Sequence, residues 1–106
     1  MNGVTEKELL IIQKIIKEVA PDCIVRAFGS RHKGLHKTHS DLDLAFVQSN
    51  GKRLELRKKG ELKEWFMNSD IPYRVDVIDY NGCSPEFKAI IDEQNEIVFS
   101  STEAET

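Results

Sequence analysis

The sequence predicts an α/β (α+β) fold class, a small mixed β-sheet with helices packed on it. Three observations predict it. Apolar residues recur at helical spacing before Pro21, three short runs with strand character follow (Cys23 to Phe28, Leu42 to Val47, Tyr73 to Asp79), and helical patterns alternate with the later runs.

Thr5-Glu6-Lys7-Glu8 has the form of a capping box, in which the Thr5 hydroxyl accepts from the Glu8 amide and the Glu8 carboxylate reaches back. A first helix starts there. Leu9, Ile12, Ile15, Ile16 and Val19 supply its apolar face, and Pro21 ends it. The first strand leads into Gly29, suited to an unusual backbone angle or a close approach, and Ser30 is placed to cap a short helix to about residue 34. Gln48-Ser49-Asn50-Gly51 is a turn. Residues 52–68 are helical in composition, with Leu54, Leu62, Trp65 and Phe66 as the expected buried stripe and Gly60 as an interruption. Pro72 precedes the third strand, and Tyr80-Asn81-Gly82 closes it. Ser84 and Pro85 start a last helix expected to bury Phe87, Ile90 and Ile91, and Ile97-Val98-Phe99 is a fourth short strand. With neither a repeat nor a linker in its 106 residues, the chain reads as one domain over residues 1–99 and a disordered tail over 100–106.

Composition narrows the function. Hydrophobic residues make up 40% and charged residues 31%, as in an ordinary globular protein. The run Leu9 to Ile12 is too short for a signal-peptide core or a membrane helix, so a cytoplasmic location and no membrane partner are expected. Cys23 and Cys83 have no metal-ligand spacing and are expected to be reduced and inert. A formal charge of −3 argues against general nucleic-acid binding. The basic residues Arg53, Arg57, Lys58, Lys59 and Lys63 read as a solvated helix face.

The chemistry concentrates between Gly29 and Asp43. Gly29-Ser30 is followed by ten residues containing Arg31, Lys33 and Lys37 and no acid, then by Asp41-Leu42-Asp43. Strand alternation sends Asp41 and Asp43 to one face and Leu42, Leu44 and Phe46 to the other. Two like charges on one face repel unless a cation lies between them, and oxygen ligands suit Mg²⁺. The cationic loop and the free amides of a helix start attract phosphate. Asp76 and Asp79 both compete to be a third carboxylate. Three apart on a strand, they face opposite sides, and Asp76 is the choice because it sits mid-strand between Val75 and Val77. His32, His36 and His39 lie in the cationic loop without Cys or carboxylate support, and read as exposed or phosphate-contacting imidazoles rather than a zinc site.

Gly29-Ser30, ten residues, Asp41-Leu42-Asp43 and the later Asp76 resemble the signature of the DNA polymerase β-like nucleotidyltransferase superfamily, and most closely the minimal nucleotidyltransferases of prokaryotic two-component HEPN/MNT systems. The resemblance spans about residues 5–99. It implies transfer of a nucleoside monophosphate, AMP from ATP, to a hydroxyl with two Mg²⁺ ions as cofactors. It further implies Asp41, Asp43 and Asp76 as catalytic residues and metal ligands, and Gly29, Ser30, Arg31 and Lys33 as the nucleotide-binding residues. Lys33 stands where many relatives carry a second Arg, replacing a bidentate phosphate contact with a point charge.

Larger members of the superfamily carry a second, helical domain, and this chain ends before one. A separately encoded helical partner, a HEPN-type protein or a substrate-binding subunit, is therefore expected, as a hetero-oligomer. In similar systems the small transferase is an antitoxin that adenylylates a tyrosine of a HEPN-type toxin, which is the leading expectation. Its alternatives are the catalytic subunit of a transferase for a small-molecule acceptor, an antitoxin or scaffold acting by binding alone, and a small nucleic-acid-binding domain; the last lacks a basic overall charge and an aromatic platform.

Overall fold

The computed structural model describes residues 3–29 and 41–100. Its elements run α1 (Glu6–Val19), β1 (Cys23–Phe28), β2 (Leu42–Gln48), α2 (Leu56–Met67), β3 (Val75–Asp79), a 3₁₀ turn (Tyr80–Gly82), α3 (Pro85–Glu93) and β4 (Glu96–Phe99). The expected helix after Ser30 and the expected tail beyond Ser100 lie outside the described residues.

The four strands form one mixed sheet in the order β3-β2-β1-β4. β1 runs antiparallel to β2 and β4, and β2 runs parallel to β3. Parallel neighbours need a crossover, and α2 provides it. Alternation then divides the sheet into two faces. Val25, Ala27, Leu42, Leu44, Phe46, Val75 and Val77 join Ile12, Ile16, Leu62 and Phe66 in the main core beneath α1 and α2. Phe28 and Ala45 on the opposite face pack with Ile91 of α3, and the Phe28 and Phe87 rings meet edge to face at 6.0 Å. Phe46 is fully buried, and its truncation to Ala is expected to cost about 3–5 kcal/mol.

Local signals set the helix starts. Thr5 Oγ1 accepts from the Glu8 amide at 3.1 Å, and Glu8 Oε1 accepts from the Thr5 amide at 3.0 Å, completing the capping box. Tyr73 also donates its hydroxyl to Glu8 Oε1, at 3.1 Å, tying the start of α1 to the segment before β3. Ser84 caps α3, accepting from the Phe87 amide at 3.2 Å.

Four expectations are corrected. The second helix starts at Leu56 instead of residue 52, because the backbone before it is held by neighbouring side chains. Asp79 Oδ1 accepts from the Leu54 amide at 3.0 Å, while Asn81 Nδ2 and Gln48 Nε2 donate to the Lys52 and Arg53 carbonyls at 2.7 and 2.8 Å. Leu54 is buried from this extended stretch, and Gly60 leaves the helix unbroken. Trp65 is half exposed, because the buried stripe of α2 is Leu62 and Phe66. Ile90 points to solvent, because α3 is a single-sided cover whose inward residues are Phe87 and Ile91.

Candidate active site

Three adjacent strands build the site as a row. Phe28 of β1 pairs with Asp43 of β2, and Asp43 pairs with Asp76 of β3. Both aspartates point away from the α1/α2 core, since their chain neighbours Leu42, Leu44, Val75 and Val77 are buried in it. Neighbouring strands lie about 4.8 Å apart, so the two carboxylates project side by side from one face. Asp41, just before β2, is two residues from Asp43 and half-buried.

Gly29 closes the row at the β1 end. Its φ is +87°, and a Cβ built there would collide with Asp43 Oδ2. Glycine is therefore required twice over at this position, for the backbone angle and for the approach of the carboxylate.

Burial pushes the Asp43 carboxyl up from its ordinary 3.8 to about 6, with the charges of Asp76 and then Asp41 adding to the effect. Two like charges brought together on a partly desolvated face produce this shift, and a bound cation would reverse it. All donors here are carboxylate oxygens, the type that hard divalent cations prefer. Among the described residues, no three His, Cys, Asp or Glu side chains are gathered closely enough to cage a metal by themselves. Magnesium at phosphate-transfer sites usually takes only one or two carboxylates and completes its shell with phosphate oxygens and water, so the residues present fit it.

The choice between Asp76 and Asp79 has a physical basis in the fold. Asp79 lies on the core-facing side of β3 and spends its carboxylate on the Leu54 amide, while Asp76 faces Asp43. Ser30, Arg31 and Lys33, with Lys37 and the three histidines, lie outside the described residues. Arg74 was not singled out by sequence reasoning. Its Nη2 sits 3.6 Å from Asp76 Oδ1, and the signal was available, because residues two apart on a strand share a face. Cys23 is buried with its thiol pushed up to about 11 by burial, and both cysteines are free.

The polymerase β nucleotidyltransferase family model matches residues 10–104, nearly the whole chain. The chain belongs to this family. It is 42% identical over 88 residues to a probable protein adenylyltransferase, MntA, of Haemophilus influenzae, a match covering 83% of this chain and 75% of the relative. This nucleotidyltransferase also shares its fold with chains of solved toxin–antitoxin complexes. One, with AMP-PNP, matches at a TM-score of 0.73 and 21% identity over 91% of this chain and 76% of its own. Another is a complex of a tri-AMPylated Shewanella oneidensis HEPN toxin with an MNT antitoxin, matching at 0.61 and 22% over 91% and 75%. Among the described residues, no helix is long and apolar enough to cross a membrane.

Proposed function

We propose that this nucleotidyltransferase is a cytoplasmic antitoxin whose single catalytic domain, over residues 1–99, moves AMP from ATP to a tyrosine hydroxyl of a separately encoded, helical HEPN-type toxin. The observation that carries this reading is the in-register pairing of Asp43 with Asp76 beside the Gly29 turn. The identity to a probable protein adenylyltransferase supports the choice of acceptor class.

In this reading Gly29 and Ser30 hold the β and γ phosphates, with Arg31 and Lys33 as cationic contacts. Asp41 and Asp43 hold two Mg²⁺ ions, and Asp76 shares in holding one of them. Bound Mg²⁺ supplies charge neutralisation on the phosphates and eases loss of the acceptor's proton. The tyrosine oxygen forms a bond to the α-phosphorus as the bond from that phosphorus to the bridging oxygen breaks. Pyrophosphate leaves, and Asp76 takes the hydroxyl proton and passes it to water. In this reading the phosphates lie at the Gly29 end of the row and the acceptor at the Asp76 end, an assignment supported by the strand order that sets Gly29 and Asp76 on either side of Asp43.

The test is the position of the label. With Mg²⁺ and the partner, α-labelled ATP is expected to label the partner and γ-labelled ATP to leave it unlabelled. Labelling from the γ position would mean phosphate transfer, and neutralisation without any label would mean action by binding alone.

A further inference from the structure

A cleft of about 490 Å³ opens at the sheet edge formed by β3 and reaches Asp76. One wall is the last turn of α2, and the other is the segment that leads into β3. Phe66, Met67, Ile71 and Pro72 make its apolar lining, while Lys63 and Arg74 carry positive charge at its sides. Met67 is 80% exposed beside this apolar lining, and its flexible thioether suits a surface that must adapt to a partner.

Position in the row decides what this cleft is for. The strand order places Gly29 on one side of Asp43 and Asp76 on the other. A triphosphate at the Gly29 end leaves the Asp76 end for the acceptor, and the cleft, walled by α2 on the other face of the sheet, meets that end around the β3 edge, where Arg74 and Asp76 line it. Its volume falls within the usual ligand-pocket range of about 300–1,000 Å³, room for a short segment around one aromatic ring.

We infer that the cleft between the end of α2 and the start of β3 seats the acceptor segment of the partner protein, with its hydroxyl-bearing ring on the Met67–Pro72 side and acidic flanking residues facing Lys63 and Arg74. This rests on the protein-adenylylation reading above. Charge complementarity supports the acidic flanks, and Arg74, 3.6 Å from Asp76 and itself lining the cleft, is exposed where it can meet an incoming anionic segment. The transfer is that given above, in which the ring oxygen bonds to the α-phosphorus, pyrophosphate leaves and the proton passes to Asp76.

Steady-state transfer by the full chain to its intact partner tests the inference, with partner and Mg²⁺-ATP varied in turn. Met67→Asp and Lys63→Glu change exposed side chains and leave the core intact. Each is expected to raise KM for the partner by about tenfold or more, the loss typical of a strong interface contact, without raising KM for ATP. Exchanging an acidic residue beside the modified tyrosine for Lys is expected to rescue Lys63→Glu. Ile97→Asp, on the opposite edge of the sheet, is expected to move neither constant. An unchanged KM for the partner would overturn the cleft assignment while wild-type labelling left the transferase reading standing. A raised KM for ATP would overturn it by assigning the cleft to the nucleoside, and absence of transfer by the wild type would overturn both.

Discussion

Asp43 and Asp76 stand directly opposite each other on parallel strands, and burial with this pairing pushes the Asp43 carboxyl up to about 6. The folded state therefore disfavours the charged form. The contribution to stability is fully present below the ordinary value of 3.8 and is lost as pH rises through about 6. Partial exposure screens the effect, leaving a loss on the order of 1–2 kcal/mol. Metal-free protein should accordingly melt lower at about pH 8 than at about pH 5 through this group, and Asp43→Asn should flatten that difference. Added Mg²⁺ should raise the melting temperature more at the higher pH. Thermal melts of both proteins with and without Mg²⁺ check this.

Gly29→Ala should be costly for a residue that adds one methyl group. The φ of +87° and the collision with Asp43 Oδ2 act together, for an expected loss of about 1–3 kcal/mol. Combining it with Asp43→Ala removes the collision, so the double change should cost less than the sum of the singles in denaturant titrations. The single change should also suppress transfer, because relief of the contact displaces Asp43.

Asp76→Asn and Asp79→Asn should separate chemistry from support. Asp76→Asn is expected to lower transfer by about a thousandfold or more with folding preserved, as for loss of a strong transition-state electrostatic contact. Asp79→Asn keeps an oxygen to accept from the Leu54 amide and should retain transfer. Asp79→Ala leaves that amide without its acceptor and should destabilise by about 1–3 kcal/mol. Paired rate and denaturation measurements distinguish these outcomes.

Thr5→Ala removes one half of the capping box and should cost about 1 kcal/mol, measured in urea. Transfer rates should not change, because α1 packs on the sheet face opposite the aspartates.

Much of this architecture is written locally. The capping box marks the start of α1, and alternation along β2 sends Asp41 and Asp43 to one face before any strand is paired, whereas the alignment of Asp43 with Asp76 comes from the parallel register. What local pattern could not supply was which side chains would claim distant backbone. Residues 52–55 look helical, yet Asp79 and Asn81 hold that stretch open from across the sheet. Trp65 and Ile90 have apolar character without burial, because the number of faces a helix presents to its neighbours is a tertiary property. The antiparallel pairing of β4 with β1 and the cleft beside Asp76 likewise depend on strand order. Arg74, two residues before Asp76, carries a legible signal of its own, since strand alternation turns it to the same face.

In the proposed function the Asp43–Asp76 pair carries out AMP transfer to a partner protein. Intact-mass analysis of that partner, isolated after co-expression with wild type or with Asp43→Asn, tests it most directly. Added mass in whole AMP increments is expected with wild type and none with Asp43→Asn, while both proteins remain folded. Equal AMP addition by the two would contradict it, as would neutralisation of an unmodified partner by both.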